Sequence, residues 1–140
     1  MTDVLINIVS TVETDGDSEK MEFTTEGRML LKDGVYRLYY NTDDGSGNDS
    51  AMLRAEQDTV IIRRSGDTAS HLTVRKGERC VGHYDVGAVG MTVGISGRDV
   101  RVDMNENGGS IYLEYAVDIN TTHVSRNIVE VRVTLAQTLS

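Results

Sequence analysis

The chain has 140 residues, of which 39% are hydrophobic and 26% are charged, a composition that excludes a disordered or membrane-spanning chain. A chain of this length suits one domain, which we predict to cover residues 1–140. The formal net charge of −8 repels phosphate backbones and anionic lipids, so we expect neither nucleic acid nor a membrane as a partner.

The N-terminal residues lack the parts of a secretory signal. No basic segment precedes an apolar run in residues 1–13, and there is no small-residue cleavage site. The single cysteine, Cys80, has no second cysteine with which to form an internal disulfide, which suits a reducing compartment. We therefore predict a cytoplasmic protein.

Alternation of apolar and polar residues is the dominant pattern, and it predicts antiparallel strands with one buried face. The pattern first appears over residues 21–32 and returns over residues 111–119 and 129–135. No stretch has a sustained helical period. The residues predicted to share the apolar faces are Met21, Phe23, Met29, Leu31, Ile111, Leu113, Tyr115, Val117, Ile119, Val129, Val131, Val133 and Leu135.

Short turn signals separate these runs and predict about ten strands. The signals are Asp33-Gly34, residues 43–47, Gln57-Asp58, residues 65–67, Lys76-Gly77, Gly97-Arg98 and residues 107–109. Nearly every predicted connection is a short hairpin turn, whereas a Greek-key sandwich needs some long crossings between its sheets. We therefore predict an all-β fold, a single antiparallel meander β-barrel.

Five segments in a fixed order span nearly the whole chain. They are TEGRMLLKDGVYRLYY, RRSG, GHYDVGAVGMTVGIS, ENGGSIYLEYAV and NIVEVRV. In order and spacing they resemble the YwiB-like family, bacterial proteins described as calycin-like β-barrels of unknown function. The resemblance implies a calycin/lipocalin-like barrel and supplies no established activity.

One position departs from the family pattern. After the paired Tyr39 and Tyr40, members of the YwiB-like family tend to carry glutamates, and this chain has Asn41 and Thr42 instead. If those glutamates hold a ligand in relatives, the resemblance implies that this chain has altered or lost that contact.

Residues 103–114 match the calcium-loop pattern at every fixed position. A calcium loop folds its last glutamate back onto the ion between two helices, but here strands flank the segment. If Ser110 begins the second strand, Glu114 lies about 13 Å beyond it. We therefore predict a hairpin turn.

Cys80 and His83 lie three residues apart on a predicted strand and face opposite sides of it, so we predict no metal site there either.

A pair of arginines, Arg63 and Arg64, ends a predicted strand, and by parity one of the two points into the barrel. Burying that charge requires an anionic partner or a ring of carbonyl groups, and an anionic partner would be either a carboxylate ligand or an internal Glu or Asp. Tyr40, Tyr84 and Tyr115 either line the interior around a ligand or fill the core. We predict Tyr40, Arg64, Tyr84 and Tyr115 as ligand-binding residues.

No acid, base and nucleophile can be named together, so we expect no enzyme and no cofactor. The leading prediction is a non-enzymatic barrel that binds a small apolar or anionic ligand in its interior or mouth. The alternative is a filled barrel that acts as a protein-interaction module or a homodimer. The acidic residues 41–50 are predicted to form either a solvated hairpin loop or a lid over the mouth.

Overall fold

Ten antiparallel strands follow one another in a computed structural model that describes residues 1–41, 49–66, 68–86 and 89–136. Each strand pairs with its neighbours in sequence, and β1 also pairs with β10, which closes the sheet into a barrel. The predicted antiparallel meander barrel is confirmed. The strands are β1 Thr2–Thr14, β2 Asp17–Lys32, β3 Val35–Asn41, β4 Ser50–Ala55, β5 Thr59–Ser65, β6 Thr68–Arg75, β7 Arg79–Val86, β8 Val89–Asn105, β9 Gly108–Ile119 and β10 Thr122–Leu135.

The barrel interior is packed with aliphatic side chains from all around the sheet. Successive residues of a strand point to opposite faces, and directly opposed residues on neighbouring strands share a face. The predicted apolar faces do point inward, and the middle of the barrel is filled. The largest fully buried side chains are Ile6, Leu38, Leu53, Ile95, Ile111, Leu113, Val4, Val60, Val74 and Val131.

One end of the barrel, which we call the mouth, is where β1, β3, β5, β7 and β9 finish. There some inward-facing residues remain accessible: Met21 is 68% exposed, Phe23 39% and Met91 44%. The part of β2 before Gly27 extends toward the mouth and does not pair with β3, whose last paired residue is Tyr40. Met21 and Phe23 lie on this extension and are therefore accessible. The barrel is therefore filled in its middle and open at its mouth.

Tight two-residue turns make several of the connections. Asp33-Gly34, predicted from the sequence, has positive φ at both residues, and so does Asn120-Thr121, which the sequence patterns missed. The predicted turn at Gly97-Arg98 is wrong. β8 runs straight through it, with a register shift between Gly97 and Asp99, because a glycine at a β-bulge gives the same local signal as a glycine in a turn.

No helix of the described residues is long and apolar enough to cross a membrane. The predicted turn over residues 43–47 and most of the predicted lid lie outside the described residues.

Candidate functional site

Arg64 faces the barrel interior near the mouth. It pairs with Ala51 on β4 and with Ser70 on β6. Ala51 is 5% exposed and belongs to the core, so its directly opposed partner Arg64 points to the same side. Arg63 therefore points outward.

The tyrosines of the predicted site lie on the same side of the sheet as Arg64. Tyr40 pairs with Ala51, and Tyr84 pairs with Ser70, so one cross-strand row runs from β3 to β7. The charge of Arg64 interacts with both Tyr40 and Tyr84, and Tyr84 in turn interacts with Tyr115. The structure thus brings together all four of the residues predicted from the sequence.

Burial disfavours the ionised form of the three phenols. It raises the pKa of Tyr40 and of Tyr84, and the nearby Arg64 charge opposes the rise in both. Burial also raises the pKa of Tyr115 strongly, and Tyr84 adds to this rise. At neutral pH each phenol therefore offers one O–H donor.

These four groups retain unused hydrogen-bonding capacity. Within the part of the chain that the structure describes, no carboxylate lies within ion-pair distance of Arg64. The same residues provide no hydrogen-bond partner for the hydroxyl groups of Tyr40, Tyr84 and Tyr115. An internal Glu or Asp, the structural alternative for Arg64, is therefore not found among them.

Apolar surface adjoins this polar row. The Phe23 ring lies beside the Tyr40 ring, with centroids 6.4 Å apart and a tilt of 45°. Met21, Phe23 and Met91 are all accessible on the inward side, at the mouth. The mouth therefore combines the Arg64 cation and the phenols of Tyr40 and Tyr84 with exposed hydrocarbon.

A cavity of about 1210 Å³ lies at the mouth ends of β3 to β6. Its volume is enough for a drug-sized molecule. Tyr40, Arg64 and Ser70 line it from inward-facing positions, whereas Arg63 and His71 line it from outward-facing ones. The cavity therefore draws on both faces of the sheet. Tyr84 and Tyr115 do not line it, and Tyr115 is buried.

Residues 103–114 form a hairpin, as predicted. β8 ends at Asn105 and β9 begins at Gly108, two residues before the predicted start. The Asn105 side-chain oxygen accepts a hydrogen bond from the Asn107 backbone N–H at 2.7 Å, and Glu114 binds Arg126 at 2.9 Å. The carboxylate that a calcium loop would need is thus engaged elsewhere.

Cys80 and His83 face opposite sides of β7, as strand geometry requires. Cys80 lies opposite the buried Ile95, whereas the imidazole of His83 points outward and contacts the Asp85 carboxylate at 2.7 Å. Among the described residues, no group of three or more His, Cys, Asp or Glu side chains is placed to hold a metal ion.

Two buried polar residues near the site were missed from the sequence. Ser125 is 7% exposed and Asn127 9%, and the Asn127 amide donates a hydrogen bond to the Ser125 hydroxyl at 2.9 Å. Asn127 lies directly opposite Tyr115. Ser125 and Asn127 lie at alternate positions before Val129 and Val131, so the same alternation predicts that they face inward. This alternation could have identified them from the sequence.

Comparisons with known proteins agree with this fold. A family model described as a domain of unknown function (DUF1934) matches residues 6–131. The uncharacterized beta-barrel protein YwiB of Bacillus subtilis (strain 168) is 24% identical over 119 residues, which cover 84% of this chain and 83% of the relative. The crystal structure of ywiB protein from Bacillus subtilis matches with a TM-score of 0.87 and 19% identity, over 97% of this chain and 93% of that chain.

Proposed function

The chain belongs to the DUF1934 family, and from this membership and the geometry of the mouth we propose that it is a calycin-like barrel that binds a small amphipathic anion. The observation that carries the proposal is Arg64. It faces inward near the protonated phenols of Tyr40 and Tyr84, and no carboxylate of the described residues forms an ion pair with it. Arg64 is exposed at the mouth, so its planar guanidinium is open to an anionic guest and can hold it by charge-assisted hydrogen bonds.

The ligand has two parts in this proposal. Its anionic head accepts hydrogen bonds from the Arg64 guanidinium, whose planar fork matches a carboxylate, and from the Tyr40 and Tyr84 hydroxyls. Its hydrocarbon part lies on the accessible side chains of Met21, Phe23 and Met91.

The proposed role is binding, not catalysis. A general base needs a pKa near the working pH, whereas burial moves the pKa of each site tyrosine further above neutrality. The phenols therefore serve as donors and not as proton acceptors. We place this role in the cytoplasm, where the lone and half-buried Cys80 would stay reduced.

A matched pair of ligands and a matched pair of variants test the proposal. Calorimetric titration should show tighter binding of dodecanoate than of dodecanol, which has the same chain and no charge. Arg64→Gln should weaken dodecanoate binding by about tenfold or more, because a hydrogen bond to a charged group contributes about 1.5–3 kcal/mol.

Arg132→Gln is the control, since it removes the same charge from an exposed outward position of β10 that does not line the cavity. It should leave dodecanoate affinity within about twofold of the wild type. Equal losses in the two variants, or no preference for the carboxylate, would rule out Arg64 as the anchor.

A further inference from the structure

The outward face of β2 to β5 has an unusual composition. Two cross-strand rows on this face each hold two arginines and two apolar residues, and none of the eight positions is acidic. We call these eight residues the arginine face. The first row is Leu30, Arg37, Arg54 and Ile61, and the second is Arg28, Tyr39, Met52 and Arg63.

Positive charge accumulates on this face although the whole chain has a net charge of −8. Arg37 and Arg54 are directly opposed on neighbouring strands, an arrangement that is destabilising for like charges. Only two of the four arginines form ion pairs within the described residues: Arg28 with Asp3 at 3.7 Å and Arg54 with Glu56 at 3.0 Å. The Nε atom of Arg54 is buried without a hydrogen-bond partner.

The apolar half of the face is equally unusual for a solvated surface. Outward positions of an antiparallel sheet with one buried side are ordinarily polar. Here Leu30, Tyr39, Met52 and Ile61 occupy them, and each is half-buried. Tyr, Met and Arg are enriched in the centres of protein interfaces, whereas Lys, Asp and Glu are depleted there.

The size of the face indicates what it accommodates. The face is four strands wide and about four residues long, which corresponds to about 19 by 13 Å, or about 250 Å². A stable dimer buries about 800 Å² on each partner, so this face is too small for a second globular copy. The cavity borders Arg28, Tyr39, Met52 and Arg63, which makes this part of the face concave. A single extended segment fits such a surface.

We propose that the arginine face docks an acidic segment of a partner protein. Asp or Glu side chains of the segment pair with Arg28 and Arg63 at the two ends of the second row. An apolar side chain between them packs on Tyr39 and Met52. The arginine face lies on the other side of the sheet from Arg64, although its second row borders the same cavity.

A labelled peptide of alternating Glu and Leu, twelve residues long, probes this docking by fluorescence anisotropy. Wild-type protein should bind it more tightly than a peptide of alternating Lys and Leu. The double variant Arg28→Glu, Arg63→Glu should weaken binding by about tenfold or more, since it places like charges against the peptide. Both arginines are exposed, so the variant should fold.

The control double variant is Arg101→Glu, Arg132→Glu, which makes the same charge change at exposed outward positions of β8 and β10. It should stay within about twofold of the wild type. Equal weakening in the two double variants, or no binding to the wild type, overturns the proposal. Sedimentation velocity should show a monomer. A dimer that only Arg28→Glu, Arg63→Glu dissociates would make a second copy the occupant and would also overturn it.

Discussion

Arg63 and Arg64 are neighbours in sequence and have the same chemistry, yet strand geometry sends them to opposite sides of the sheet. Arg64 meets the phenols of the mouth, whereas Arg63 belongs to the arginine face. Their separation explains how one short segment contributes to two surfaces.

Gly97 shows how a single residue constrains the backbone of β8. A Cβ atom added there would collide with the backbone carbonyl of Arg75. We expect Gly97→Ala to lower the free energy of unfolding by about 2 kcal/mol, because neither backbone can move away without disturbing the sheet. Urea denaturation measures this loss.

Gly34→Ala is the comparison for that variant. Its added Cβ meets nothing within 4 Å, and only the positive φ of 77° opposes it, at about 1 kcal/mol. If Gly97→Ala lowered the free energy of unfolding no more than Gly34→Ala, the backbone at the bulge would have to move more easily than its contacts indicate.

At the scale of strands, the sequence predicted much of the fold. A period of two identified the strands and gave the correct inward residues in β2, β9 and β10, because burial on one side alone sets that pattern. It could not distinguish the bulge at Gly97 from a turn. The register could not be predicted either, since pairing depends on contacts between strands that are far apart in sequence.

The candidate site was only partly predictable for the same reason. Parity indicated that one of Arg63 and Arg64 points inward, but only the pairing with the buried Ala51 identifies which one. The meeting of Tyr40, Tyr84 and Tyr115 depends on how β3, β7 and β9 are staggered around the barrel. The alternation in sequence carries no information about that stagger.

An ion pair also joins two strands that are not neighbours. Arg79 on β7 passes over Gly94 of β8 and donates two hydrogen bonds to Asp118 on β9, at 2.7 and 3.0 Å. These bonds hold the pKa of Asp118 below its usual value. Its stabilising contribution is therefore present above the unfolded-state pKa of about 3.9 and lost as the pH falls through the lower folded-state pKa.

Asp118→Asn should remove this contribution. The urea midpoint of the variant should lie below that of the wild type at pH 6, and the gap should close as the pH falls below about 4. An amide cannot ionise, so the variant itself should show less change over that range. A gap that stayed constant down to the lowest pH would contradict the assignment to the Asp118 carboxylate.

The whole molecule shares one core, and the chain contains no proline. A barrel with so many long-range pairings should refold in milliseconds to seconds, in the range of other β-barrels. A prolyl isomerase should not accelerate any refolding phase, because there is no X-Pro bond to isomerise. Stopped-flow refolding measures both properties. A refolding phase of tens of seconds would show that closing the barrel is itself slow.

The pairing of β1 with β10 has a consequence for synthesis. On the ribosome, β1 pairs with β2 soon after both have emerged, but its other edge must wait for β10, the tenth strand of the barrel to be translated. At about 5–20 residues per second, that edge stays open for about 10 s in each nascent chain. During this interval the barrel is not closed and one edge of β1 has no partner. The nascent chain should therefore depend most on chaperones at this stage.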